Sequence, residues 1–297
     1  MHDIFAAGFF SSEPVHTALL VGAVIAITSA VVGVFTVTRG QSFAGHSLAD
    51  ISVTGGSGAI LVGLNQFWGY LAFGAGVAAF MELIGIQRKR GRDVATGVVL
   101  GAALGLSALF LYLDTESSST TGATVTVMFG AIWEITSSTV PALIVSAVLA
   151  LFTVLALARP LLLSSLSPDI AAARGVPVRL IGAAFLMVLA ISVALSAVII
   201  GAILSTALLI GPAAAALRIS KGPIKAMVTA AAIGTAATWL GILLSYDSHS
   251  WPPANSGGWP VSFFVVALVV LAYLATYISG WRRPAAQEAE QHSCSPA

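Results

Sequence analysis

"TALLVGAVIAITSAVVGVFTVT" (Thr17–Thr38) runs for 22 residues without a charged side chain. At 1.5 Å per residue that is enough helix to cross the ~30 Å hydrocarbon core of a bilayer. The chain then reads "RGQSFAGHSLADISVTG" (Arg39–Gly55) and passes straight into more apolar sequence. A histidine and an aspartate, His46 and Asp50, therefore stand where lipid or protein interior is expected.

Outward from this segment the pattern repeats. The protein is 58% hydrophobic and 8% charged, whereas a soluble domain carries about 25% charged residues. Its mean hydropathy is +0.97. Apolar segments lie at about 17–38, 43–64, 66–86, 94–113, 138–160, 178–198, 199–217, 223–244 and 260–280. The sixth and seventh are separated in "LSAVIIGAILS" (Leu195–Ser205) only by Gly201. They are either one kinked helix or two helices joined by a tight buried turn. The expected fold is all-α: a polytopic transmembrane bundle of eight or nine spans over residues 1–284, with a polar, disordered cytoplasmic tail over 285–297.

Charge orients the spans. Lys and Arg gather at "QRKRGR" (Gln87–Arg92), at Arg159, Arg174 and Arg179, from Arg218 to Lys225, and at Arg282–Arg283. "DTESSSTT" (Asp114–Thr121) and "YDSHSWPPANSGGW" (Tyr246–Trp259) contain neither residue. The positive-inside rule puts the basic loops in the cytoplasm and these two outside. Nine spans then give an outer N-terminus and an inner C-terminus. No basic segment precedes the first span and no small-residue cleavage site follows it, so that span is expected to be retained. The net charge of +1 points to no nucleic-acid partner, and the single cysteine, Cys294, excludes an internal disulfide or cysteine-rich metal site.

Few polar residues need a reason. His46 and Asp50 are four apart and share one helical face. An intramembrane carboxylate costs about 2.5–3.5 kcal/mol on insertion scales, so such a group is paired, water-lined or ligating. Imidazole and carboxylate suit zinc, manganese or ferrous iron; a pair that neutralises itself is the plainer alternative. One helix supplies two ligands, and a symmetric dimer on this segment would supply four. Glu82 is explained by pairing with the nearby "RKR" run, Glu134 by position near the outer interface, and His16 as a solvated residue before the first span. Asp247 and His249 belong to an outer loop, and His292 and Cys294 to the tail. Gly97, Gly101 and Gly105 repeat at four-residue spacing, which suits close helix packing.

"SPDIAAARGVPVRL" (Ser167–Leu180) is unlike the other loops. Ser167 suits an N-cap, Pro168 the first helical position and Asp169 the positive end of the helix dipole. Gly175 can close the helix in the left-handed region, with Pro177 beyond it. A helix this short is unstable alone and must dock, on its own protein or on another subunit.

These pieces together resemble the permease subunits of bacterial ABC importers for manganese, zinc or iron. The resemblance is carried by "GVFTVTRGQSFAGHSLADISVTG" (Gly33–Gly55), "RDVATGVVLG" (Arg92–Gly101), "MFGAI" (Met128–Ile132), "PDIAAARGVPV" (Pro168–Val178) and "GAILSTALLIGPAAAA" (Gly201–Ala216), in that order. It implies a homodimer in the bacterial inner membrane, with His46 and Asp50 lining a metal site on the dimer axis. It also implies cytoplasmic ATPase subunits docking on Pro168, Asp169, Ala172, Ala173, Gly175, Val176 and Pro177, and an extracytoplasmic metal-binding protein at the outer mouth. No permanent cofactor is implied; the divalent metal ion is cargo. Family members carry Asp first and His fifth in the ligating turn, whereas here His46 precedes Asp50. The swap keeps both ligand types on one face and changes which lies deeper.

The chain contains no G-x-x-x-x-G-K-[ST] phosphate loop, so ATP hydrolysis is expected on a separate subunit and not on this one. Two other readings are a self-sufficient ion-coupled transporter with His46 and Asp50 as a proton relay, and an ABC permease for a siderophore or vitamin. A membrane enzyme is disfavoured by the lack of a nucleophile–base pair or an H-E-x-x-H motif.

Overall fold

The computed structural model describes residues 12–83, 92–118, 122–248 and 258–293. These are helices and connecting turns, with no strand among them. In chain order the helices are α1 (Glu13–Thr38), α2 (Ser42–Leu61), α3 (Gln66–Leu83), α4 (Arg92–Ser118), α5 (Gly122–Phe129), α6 (Val140–Ala156), α7 (Ala158–Leu166), α8 (Pro168–Ala173), α9 (Val178–Ile200), α10 (Ala202–Ile219), α11 (Pro223–Asp247) and α12 (Val261–Ser293). The last helix continues through part of the polar segment that follows residue 284.

Five helices are long and apolar enough to cross a membrane, and a sixth if α6 and α7, bent by 56°, form one broken span. The count of eight or nine is not confirmed on this criterion. α2 is the informative shortfall: its Ser, Thr, Gly, His and Asp residues dilute its apolar character. The α6–α7 bend falls at Leu157, just before Pro160, which has no N–H to continue the helical ladder.

Burial sorts inner from outer helices. The apolar windows of α1 and α9 are each 72% buried, against 17% for α4 and 33% for α12. α1 and α9 meet along a seam of hydroxyls, with Ser29 Oγ 2.7 Å from Ser196 Oγ and Ser192 Oγ donating to Ser29 Oγ at 3.3 Å. Such contacts serve where lipid offers no hydrophobic drive between helices. Backbones approach closest at glycines: a methyl group on Gly55 of α2 would strike the Gly69 carbonyl of α3, and one on Gly69 would strike that of Gly55. The Gly97, Gly101 and Gly105 row behaves differently. No neighbouring segment of the described chain lies within 4 Å of a Cβ at any of them, so the expected close packing is not made among the described residues.

The junction left open between α9 and α10 is a break at Gly201, whose φ of 82° ends α9. Gly130, φ 84°, lies against it from the turn after α5, and Ala131 N–H donates to the Val198 carbonyl at 3.0 Å. Each glycine sits where a Cβ would collide with the other segment's backbone. Two left-handed glycines thus let a short helix turn back against a broken one. The ends carrying Asp114 and Trp259 lie opposite those carrying Arg159, Arg174, Arg218 and Lys225, which matches the acidic and basic loops of the sequence.

Candidate metal site and coupling helix

α2 begins at Ser42, so His46 lies about 6 Å and Asp50 about 12 Å along it from the basic end. Their side chains meet: His46 Nε2 is 3.5 Å from Asp50 Oδ2, across one helical turn. His46 is 48% exposed and Asp50 16%. Phe43 precedes them on the same exposed stripe, whereas Leu48, Ala49 and Ile51 on the other faces are buried. The chain therefore brings the two expected ligands together and leaves them facing outward. Among the described residues no third His, Cys, Asp or Glu joins them to complete a metal-holding group. A transition metal requires four or more donors, so these two side chains alone do not complete a coordination shell.

Beyond Asp50 the environment changes. Val53, Val127 and Ala202 form a small buried cluster with Ile60 and Leu111 against it. Past this apolar layer, at the opposite end, lies an open cavity of about 530 Å³. Asp114, Glu134, Asn65, Gln66, Thr136 and Thr139 supply its polar lining. Glu134 is exposed in the turn Ile132–Glu134, while Asp114 is buried. The cavity's carboxylates were not singled out from sequence as a pair, because Asp114 and Glu134 stand on separate elements. The only signal for Asp114 was a carboxylate at the end of an apolar run.

At the other end α8 forms as its residues dictate. Ser167 caps it, its hydroxyl accepting from the Ile170 N–H at 3.4 Å, and Pro168 opens the helix. Gly175 closes it at φ 77°, with Val176 N–H donating to the Ala171 carbonyl at 3.0 Å. Ala171 is fully buried and anchors the helix, and Val176 packs on the core formed with α7 and α9. Asp169, Ala172, Ala173, Gly175 and Pro177 face outward. Leu166, Ile170 and Leu180 are exposed around them, at 85%, 52% and 70%.

Several residues named from sequence lie outside the described set: residues 87–91 of the basic cluster, His249, Trp251 and Cys294, with the side chains of Glu82 and His292. His16 and Asp247 are described, and both make interactions within the chain.

Known proteins resemble this chain along most of its length. The profile of the ABC 3 transport family matches residues 11–276. The manganese transport system membrane protein MntC of Listeria monocytogenes is 28% identical over 244 residues, covering 82% of this chain and 85% of that protein. The high-affinity zinc uptake system membrane protein ZnuB of Haemophilus influenzae is 25% identical over 243 residues, 81% of this chain and 92% of its own. Among solved structures, PsaBC from Streptococcus pneumoniae in complex with Fab shares the fold, with a TM-score of 0.76 at 22% identity over 91% of this chain and 93% of the matched one.

Proposed function

The chain belongs to the ABC 3 transport family, and on that premise we propose that it is the membrane-spanning permease subunit of an ATP-driven importer of manganese, zinc or ferrous iron. Two copies pair with their α2 stripes facing, so that two His46 imidazoles and two Asp50 carboxylates surround the ion. Those four donors replace enough of its hydration to carry it through an apolar layer, and few enough to release it. Cytoplasmic ATPase subunits dock on α8 and its fringe, and an extracytoplasmic metal-binding protein delivers the ion at the acidic end.

The observation that carries this reading is the His46–Asp50 pair, turned outward on an otherwise buried helix, in a chain whose relatives are named for manganese and zinc transport. The half-complete donor set, a half-exposed imidazole and a carboxylate on one face, supports pairing of two copies. Neither the self-sufficient transporter nor the siderophore or vitamin permease is favoured by those relatives.

The test is uptake of manganese(II) or zinc(II) by the chain expressed with its cognate ATPase and binding protein, wild type against His46→Ala and Asp50→Ala. Loss of uptake in both, with the ATPase still co-purifying, is expected. Survival of uptake in both would remove the pair from the pathway.

A further inference from the structure

Arg39 stands at the corner between α1 and α2, two residues after which Gln41 leads into Ser42, the first residue of α2. Its side chain does not turn to solvent. Its Nη1 donates to Ser164 Oγ at 2.9 Å and to the Leu161 carbonyl at 3.4 Å, and its guanidinium lies 5.4 Å from the centre of the Phe185 ring. Leu161, Ser164 and Phe185 are buried, and Arg39 Nε is buried without a partner. No carboxylate pairs with it among the described residues.

That is an expensive way to fill a slot. An apolar side chain of similar length would occupy it without desolvating a charge. What the guanidinium adds is a directional connection between two elements distant in sequence. Leu161 and Ser164 belong to α7, and three residues after Ser164 comes Ser167, the cap of α8. On the other side, His46 lies one turn into α2. The outer half of α2 is fastened to α3 and α4, by the Gly55–Gly69 contact and by Thr54 Oγ1 donating to the Ala103 carbonyl at 2.7 Å. The first half of α2 is packed too, with Leu48 and Ala49 buried in the core shared with α9 and α10, and Arg39 adds a polar tie from its start to α7.

We propose that Arg39 is a positioning residue that ties the start of the His46–Asp50 helix to α7 and so transmits displacement of α8 to the metal-ligating turn. This rests on the reading that ATPase subunits dock on α8. Polar contacts to neutral acceptors and an aromatic face suit the task, since they can be exchanged during a transport cycle more readily than a buried ion pair.

The experiment is reconstitution of the complete transporter, with its ATPase and binding protein, in proteoliposomes, recording manganese(II) taken up per ATP hydrolysed. Arg39→Met, which keeps the bulk and removes the donors, is expected to lower that ratio at least about tenfold while the ATPase subunits co-purify and hydrolyse ATP. Arg39→Lys, which keeps a charged donor but loses the planar fork over Phe185, is expected to fall between Arg39→Met and wild type. Ser164→Ala should lower the ratio alone and add nothing to Arg39→Met, as one interaction lost twice. An unchanged ratio in Arg39→Met overturns the inference and leaves the transport reading intact. Loss of assembly in both Arg39 variants reduces the residue to a structural part and also overturns it. A wild-type complex that moves neither manganese(II) nor zinc(II) with ATP overturns the transport reading itself and the inference with it.

Discussion

The two halves of α2 are made for opposite purposes. From Val53 to Gly58 the helix is zipped to its neighbours: Gly55 meets the backbone of Gly69, Gly56 lies on the Tyr70 ring, and Ser57 Oγ is 3.2 Å from Ser107 Oγ. From Ser42 to Asp50 it buries Leu48 and Ala49 in the core, turns Phe43 and His46 outward with Asp50 partly exposed beside them, and begins at the Arg39 corner. Small residues in one half bring backbones into contact and make a rigid mount. Ionisable residues in the other half cost stability, and in the proposed reading they hold the metal. On that reading, substitutions in the two halves should fail in different ways.

The largest effect expected is at the mount. Gly55→Val places a side chain into the Gly69 backbone, and should destabilise the protein by about 3 kcal/mol or more. Thermal unfolding in detergent would register this, with transport lost because folded protein is lost. His46→Ala and Asp50→Ala should do the reverse, removing at least about tenfold of metal uptake with the melting temperature little changed. Were either to lower stability as Gly55→Val does, the distinction between the halves would collapse.

Smaller effects sharpen the contrast. Ser167→Ala removes the cap of α8, and should cost that helix about 1 kcal/mol. Amide hydrogen exchange across Pro168–Ala173 would rise about fivefold in consequence, with exchange in α2 unaltered. Thr54→Val deletes one interhelical hydrogen bond of the mount and should cost about 0.6 kcal/mol, visible in unfolding and invisible in uptake. The double exchange His46→Asp with Asp50→His should change uptake far less than either alanine substitution, by about threefold or less, because both positions share one face. A complete loss on exchange would mean that the depth of each ligand matters, and not only the donor set.

Much of this could be read locally. That the chain is a helical membrane protein follows from composition and from runs such as Thr17–Thr38. α8 was legible residue by residue, since Ser167, Pro168, Gly175 and Pro177 each act on the backbone beside them. The His46–Asp50 contact followed from a spacing of four. The count of spans was less legible, because α2 is diluted by its polar residues, and α6 is broken from α7 next to Pro160. The Gly97, Gly101 and Gly105 row had the correct spacing for packing, but spacing does not name a partner.

By itself, then, the sequence determined the solvent, the helices, the cap and closure of α8, and the shared face of two ligands. All of these depend on interactions within a turn or two of helix. Tertiary structure alone decided that α1 and α9 lie inside while α4 lies outside, that Gly130 and Gly201 meet at a break, that Asp114 and Glu134 line one cavity, and that Arg39 reaches Ser164. Each of those joins residues far apart in the chain. In a soluble protein the contrast between polar and apolar faces would have announced the inner side of each helix. Here most helices are apolar all round, so the inward face is chosen by the fit of small residues and hydroxyls against a particular neighbour.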